Sequence, residues 1–176
     1  MIRDIEWLFP VRGRWLRYLV LSMGCCVGLL LPVFLLFTAE IPIHNWNLQR
    51  FSGSLAAMQH SPESTLVQTL NDVGNFGPTG NQCEYFIAQV RCYTGPKKRI
   101  QDLYEGAKLK SPVTGCWKPV QLGFIENGAV QNGESLPTQY RNPQSWAIPS
   151  GTMCPKLFIV FARDGGHDPG LDYRCL

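Results

Sequence analysis

Directly after an apolar run near the C-terminus, the chain reads Asp164-Gly165-Gly166-His167-Asp168-Pro169-Gly170-Leu171-Asp172. Three carboxylates and an imidazole within nine residues supply oxygen and nitrogen donors for a divalent metal, or an acid and a base for proton transfer. The competing reading is conformational. Asp-Gly-Gly and Asp-Pro-Gly are turn-forming residues, and the spacing does not match the calcium loop DxDxDG. A turn here reverses the chain before a final short strand over 173–175.

Cysteine is the second chemistry-bearing type. Beyond residue 39 the chain holds Cys83, Cys92, Cys116, Cys154 and Cys175, an odd set that permits at most two internal bridges. No CxxC redox pair, CxxCH haem site or paired CxxC zinc motif occurs, so these thiols read as structural. Cys83 and Cys92 lie nine apart on one expected strand, point to opposite faces and do not pair there. The expected bridges are Cys92 with Cys175 and Cys116 with Cys154. No GxSxG, HExxH, Walker or dinucleotide motif is found, no cofactor is expected, and the absent motifs argue against an enzyme.

Three further features bear on binding. Lys97-Lys98-Arg99 opens an expected helix with cations where the helix dipole prefers anions, which makes it a solvated face or a docking site for a phosphate, an anionic lipid or an acidic partner. Gly24 and Gly28 form a GxxxG pair, the spacing that lets two membrane helices approach closely, so a homodimer through that helix is one expectation. His44 and His60 stand alone and read as interfacial or solvated, while Cys25 and Cys26 lie in an apolar run as small hydrophobes.

The elements that carry these residues begin with an anchor. From Tyr18 to Ala39 there are 22 residues without a charge, enough at about 1.5 Å per residue to cross a hydrocarbon layer of roughly 30 Å. Arg3, Arg12, Arg14 and Arg17 precede this segment and only Arg50 follows closely, which keeps the N-terminus in the cytoplasm. Cleavage as a signal peptide is disfavoured because Phe37-Thr38-Ala39 puts phenylalanine where a small residue is needed. The remaining residues hold twelve basic and eleven acidic side chains, so no basic footprint for nucleic acid exists.

Residues 40–60 place Leu48, Phe51, Leu55 and Met58 at near-helical intervals and read as a membrane-proximal stalk. Ser61-Pro62 reads as a helix start, and Leu66, Val67, Leu70 and Val73 as the apolar face of a helix over about 62–73. A turn-rich loop follows over 73–81. A strand runs over 84–93, and a helix over about 96–109 with Ile100, Leu103, Tyr104 and Ala107 facing the core. Asn127-Gly128 closes a type I′ hairpin, 131–155 is a surface loop with a short strand at 145–148, and 156–163, apolar on both faces, is a central strand.

The expected fold is therefore α+β: a single N-terminal transmembrane helix, then a small domain with helices on one face of a mainly antiparallel sheet. The segments are a cytoplasmic 1–17, a membrane helix 18–39, a stalk 40–60 and an extracytoplasmic globular domain 61–176. The first functional expectation is a membrane-anchored binding or accessory domain, with membrane lipid and another membrane or envelope protein as partners. The second is a membrane-anchored hydrolase or metal-binding enzyme using Asp164, His167, Asp168 and Asp172.

Overall fold

A computed structural model describes residues 9–76, 82–131, 135–146, 148, 154, 156–167, 170 and 172–175. Two compact units divide the chain, Met1–Glu40 and Ile41–Leu176. The first contains α1 (Phe9–Thr38), a 30-residue helix with Pro32 inside it. Leu21, Leu29, Leu30, Phe34 and Leu35 all point to the exterior. A helix this apolar and this exposed satisfies its own backbone hydrogen bonds and fits a hydrocarbon solvent. It is long and apolar enough to cross a membrane and suggests a membrane anchor.

The second unit is built on a five-stranded antiparallel sheet in the order β1-β2-β7-β5-β6. Its strands are β1 (Ser64–Gly74), β2 (Cys83–Tyr93), β5 (Gln121–Glu126), β6 (Ala129–Gln131) and β7 (Leu157–His167), while β3 (Lys108–Lys110) and β4 (Trp117–Pro119) form a separate two-stranded ribbon. Two helices complete the unit, α2 (Glu40–Ala56) and α3 (Lys97–Tyr104). The α+β class, with helices on one face of an antiparallel sheet, is as the sequence implies.

Strands β2 and β7 are central and buried on both faces, so alternate residues feed two separate cores. Tyr85, Ile87, Tyr93, Phe158, Val160 and Ala162 face the helices, where they meet Phe51, Leu55, Ile100 and Tyr104. Phe86, Ala88, Val90, Ile159 and Phe161 face the other way, against Leu136 and Trp146. Helix α2 turns His44, Leu48, Phe51 and Leu55 inward at intervals of three and four residues. The segment expected to be a stalk is thus part of the compact unit, and its inner side is core. Helix α3 stops earlier than the apolar spacing suggests, because Gly106 at φ +70° takes the left-handed conformation that ends helices.

The helix expected over 62–73 is instead strand β1, paired with β2 from Ser64↔Tyr93 to Gly74↔Glu84. The register slips between Leu66 and Gln68, which leaves Val67 as an extra residue in a β-bulge. A bulge shifts the side-chain phase by one. Val67 and Leu70 therefore reach the same core three residues apart, and this spacing imitates a helical face.

The Asn127-Gly128 hairpin forms as expected, with φ +53° and +74° joining β5 to β6. The surface loop is different in kind. Residues 135–146 lie over the second sheet face through two 3₁₀ turns, Thr138–Tyr140 and Pro143–Ser145, and of the strand expected at 145–148 the described residues 145, 146 and 148 are not extended into a strand. Tyr140 stacks on Phe86 with ring centroids 4.5 Å apart, and its hydroxyl donates to Asp72 at 2.9 Å.

Candidate functional site

The polar residues singled out by type converge on one end of the helix-covered face, but in two groups. Strand β7 runs on through Asp164 and His167, so the expected turn begins later, and 173–175 is a 3₁₀ turn in place of a final strand. The pairing of β7 with β2 explains this. Cys83 lies opposite His167 and Tyr85 opposite Asp164, with a second bulge between them.

In the first group, Asp164 is fully buried with Lys118 Nζ 2.8 Å and His167 Nε2 3.2 Å from its Oδ1. Burial pushes the Asp164 carboxyl up, but His167, Lys118 and Ser111 favour the anion more strongly and hold its pKa below the ordinary value. Lys118 comes from β4, so the small ribbon provides the counter-charge for the sheet.

In the second group, Asp172 is also fully buried. Its Oδ1 accepts from the backbone N–H of Arg174 at 3.1 Å and from Arg174 Nε at 2.9 Å, and its Oδ2 from Arg174 Nη2 at 2.6 Å. The Nδ1 of His44, from α2, lies 2.9 Å from Oδ2. Burial raises this carboxyl and the bonds from Arg174 and His44 overcome it, holding its pKa at about 2. The chain ends of the unit are joined here, because Arg174 Nη1 also donates to Asn45 Oδ1 on α2 at 2.8 Å.

Tyr85 separates the groups, its ring 5.9 Å from that of His44 and 5.1 Å from that of His167. Burial and the charges of Asp164 and Asp172 raise its pKa, against a hydrogen bond with Asn47. Asp164, His167 and Asp172 do not form a shared ligand set among the described residues, and Asp168 lies outside them.

The bridges are Cys83–Cys175 and Cys92–Cys154, with Cα–Cα distances of 4.8 and 5.6 Å. Both differ from the expected pairs. Cys92 and Cys175 each form a bridge, but to Cys154 and Cys83, and Cys116 is free and exposed. The reason is the length and alternation of β2. Its two cysteines sit at opposite ends and on opposite faces, so each takes the partner delivered to its own end, Cys175 beneath α2 and Cys154 from the loop before β7. The alternation along β2 places the two cysteines on opposite faces, but no local pattern marks a partner for Cys83.

His44 was expected at an interface and is instead 4% exposed, its Nδ1 3.3 Å from Cys83 Sγ. His60 bridges α2 and α3: its Nε2–H donates to the Leu55 carbonyl at 3.0 Å and its Nδ1 accepts from the Tyr104 hydroxyl at 2.7 Å. Burial first, then the Arg91 cation, press its pKa below 6.5 against the opposing Leu55 bond.

The cations of α3 each have an internal carboxylate: Lys97 with Glu126 at 2.6 Å, Lys98 with Asp102 at 3.6 Å, and Arg99 with Glu63. Lys97 also stands 4.5 Å over the Phe124 ring. Around Gly24 and Gly28 of α1 a built side chain meets nothing within 4 Å. A surface depression of about 480 Å³ is lined by Arg50, Ser54, Lys110, Ser111 and Thr114 among others. No protein-family model matches this chain, and it shows no match to curated proteins or to solved structures.

Proposed function

We propose that the chain is a membrane-anchored binding or accessory protein whose disulfide-stabilised domain works outside the cytoplasm, next to the membrane lipid and another membrane or envelope protein. The observation that carries this reading is how the polar groups are disposed. Asp164 and Asp172 are buried and neutralised by Lys118 and Arg174, so among the described residues neither of these carboxylates is left to meet a substrate. A hydrolase built on Asp164, His167, Asp168 and Asp172 needs those groups gathered and open, whereas Asp164 and Asp172 serve different partners. Arg50 and Lys110 in the surface depression give a binding face suited to an acidic segment of the partner.

The orientation rests on the four arginines ahead of the uncharged run over 18–39 and on two disulfides in the domain, a pattern of oxidising compartments. A homodimer through Gly24 and Gly28 is compatible with the open space around them. Two experiments test the reading. Crosslinking in intact membranes is expected to trap one specific neighbour, and its yield is expected to fall when Arg50 and Lys110 are both changed to Glu; recovery of the chain alone defeats the proposal. Protease added from outside is expected to degrade residues 40–176 and spare the N-terminal segment, and protection of the domain reverses the orientation.

A further inference from the structure

Four potential ligands, His44, Cys83, Asp172 and Cys175, lie in one buried cluster drawn from α2, β2 and the C-terminal 3₁₀ turn, with all their donor atoms within 4.8 Å of one another. Two sulfurs, one imidazole nitrogen and one carboxylate oxygen are a donor set for zinc-class dications. Around tetrahedral zinc, bonds of about 2.3 Å to sulfur and about 2.0 to 2.1 Å to nitrogen or oxygen place neighbouring donors roughly 3.3 to 3.8 Å apart. His44 Nδ1 is already 3.3 Å from Cys83 Sγ and 2.9 Å from Asp172 Oδ2. When the bridge is reduced, the two sulfurs part to non-bonded contact, roughly the same spacing.

We propose that Cys83 and Cys175, when reduced, combine with His44 and Asp172 to bind one zinc-class dication, so that the disulfide and the metal are alternative occupants of one position. Charge supports the exchange. With the bridge closed, the Asp172 carboxylate is matched by the Arg174 guanidinium. With metal bound, two thiolates offset the dication and the same Asp172–Arg174 pair remains matched, so the dication adds no unpaired charge of its own. Arg174 yields its Nη2 contact to the Oδ2 that turns to the ion and keeps Oδ1, orienting the carboxylate from behind. With all four ligands at most 4% exposed, the site is closed and structural, with no open coordination position.

The electrons come from a dithiol, which closes to its own disulfide as the Cys83–Cys175 bond takes up two electrons and two protons. The ion then displaces both thiol protons to solvent. The test uses the full chain in detergent, reduced with a phosphine that becomes its oxide and offers no thiol ligand, and titrated anaerobically with cobalt(II). The expected result is one equivalent bound, with thiolate charge-transfer bands and the strong visible bands of tetrahedral cobalt, all bleached by zinc. The oxidised chain is expected to show none. In the reduced chain the bands are expected to persist in C92S/C154S and vanish in C83S/C175S, and His44→Ala is expected to weaken binding about 10- to 100-fold or more. Absence of the bands from the reduced wild-type chain, including through its unfolding, overturns the proposal. So do bands in the oxidised chain, or bands that survive C83S/C175S.

Discussion

The two faces of the central sheet solve the same problem with different materials. On one side α2 and α3 lay regular apolar stripes over Tyr85, Ile87 and Phe158; on the other, an irregular segment presses Leu136, Tyr140 and Trp146 onto Phe86 and Phe161. Each cover has its own staple, Cys83–Cys175 beneath the helices and Cys92–Cys154 at the end of the loop. The difference teaches that a core needs burial and complementary packing, not regular secondary structure, provided the irregular cover is tied down. It also sets a face with two fully buried carboxylates, Asp164 and Asp172, against one whose ionic groups, Asp72 and the Glu84–Arg163 pair, are only half-buried.

The largest effect that would break this comparison is loss of a staple. The bridges span 92 and 62 residues, so each removes enough chain entropy from the unfolded state to contribute about 4 kcal/mol in the loop-closure account. Changing Cys92 and Cys154 to Ser is expected to raise hydrogen exchange and proteolysis within 135–148 before the helices loosen, while the Cys83 and Cys175 pair is expected to act on α2 first. Simultaneous loosening of both faces by either pair would show one cooperative core instead of two.

Truncations come next. Phe158 packs against Tyr93, Tyr104 and Phe124 at ring distances of 5.6, 6.0 and 6.2 Å, and Phe158→Ala is expected to cost about 3 to 5 kcal/mol in denaturant titration. Leu136→Ala on the other face is expected to cost about 2 kcal/mol, the low end for a leucine, because a loop can settle into the cavity more readily than a helix. Equal losses would contradict the idea that the loop cover is the more pliable.

Acidity sharpens the contrast further. His60 ties α2 to α3 and has a pKa below 6.5 in the folded state. The unfolded chain therefore takes up this proton first as pH falls through 6.5, so stability is full above that value and declines below it until the folded group also titrates. Melting temperatures across this range are expected to show the decline, and His60→Gln to flatten it. On the loop face, burial and the Asp72 bond push the Tyr140 hydroxyl up instead, so no matching response is expected there in mild acid. The smallest effect concerns neither face: Gly128→Ala at φ +74° is expected to cost about 1 kcal/mol by straining the hairpin turn.

What could be read from the chain follows the same division. The anchor, the two central strands, α3 and the Asn127-Gly128 turn announce themselves through uninterrupted hydropathy, alternation or a stereotyped dipeptide. Strand β1 misleads because the bulge at Val67 converts alternation into spacings of three, and pairing with β2 overrides local propensity. The cover over 135–148 is rich in Pro, Asn and Ser, so its composition resembles solvent-exposed chain although Trp146 and Leu136 are buried. Asp164, His167 and Asp172 were visible by type, but His44 joins them only because α2 folds back under the C-terminal turn, a contact 128 residues long in sequence that no local pattern encodes.

The position of β7 has a consequence for how the chain is made. Strand β2 pairs with β1 at one edge, and its other edge waits for a strand that begins at Leu157. Until then the growing chain presents an open edge whose two sides are both apolar, the kind of surface that recruits other strands. Its pairs also join residues far apart in sequence, Cys92 with Leu157 and Cys83 with His167, which makes sheet closure a slow, high-contact-order event. The sheet can therefore close only after β7 has emerged, and the domain's exposure to aggregation is set by the pace of synthesis more than by its final stability.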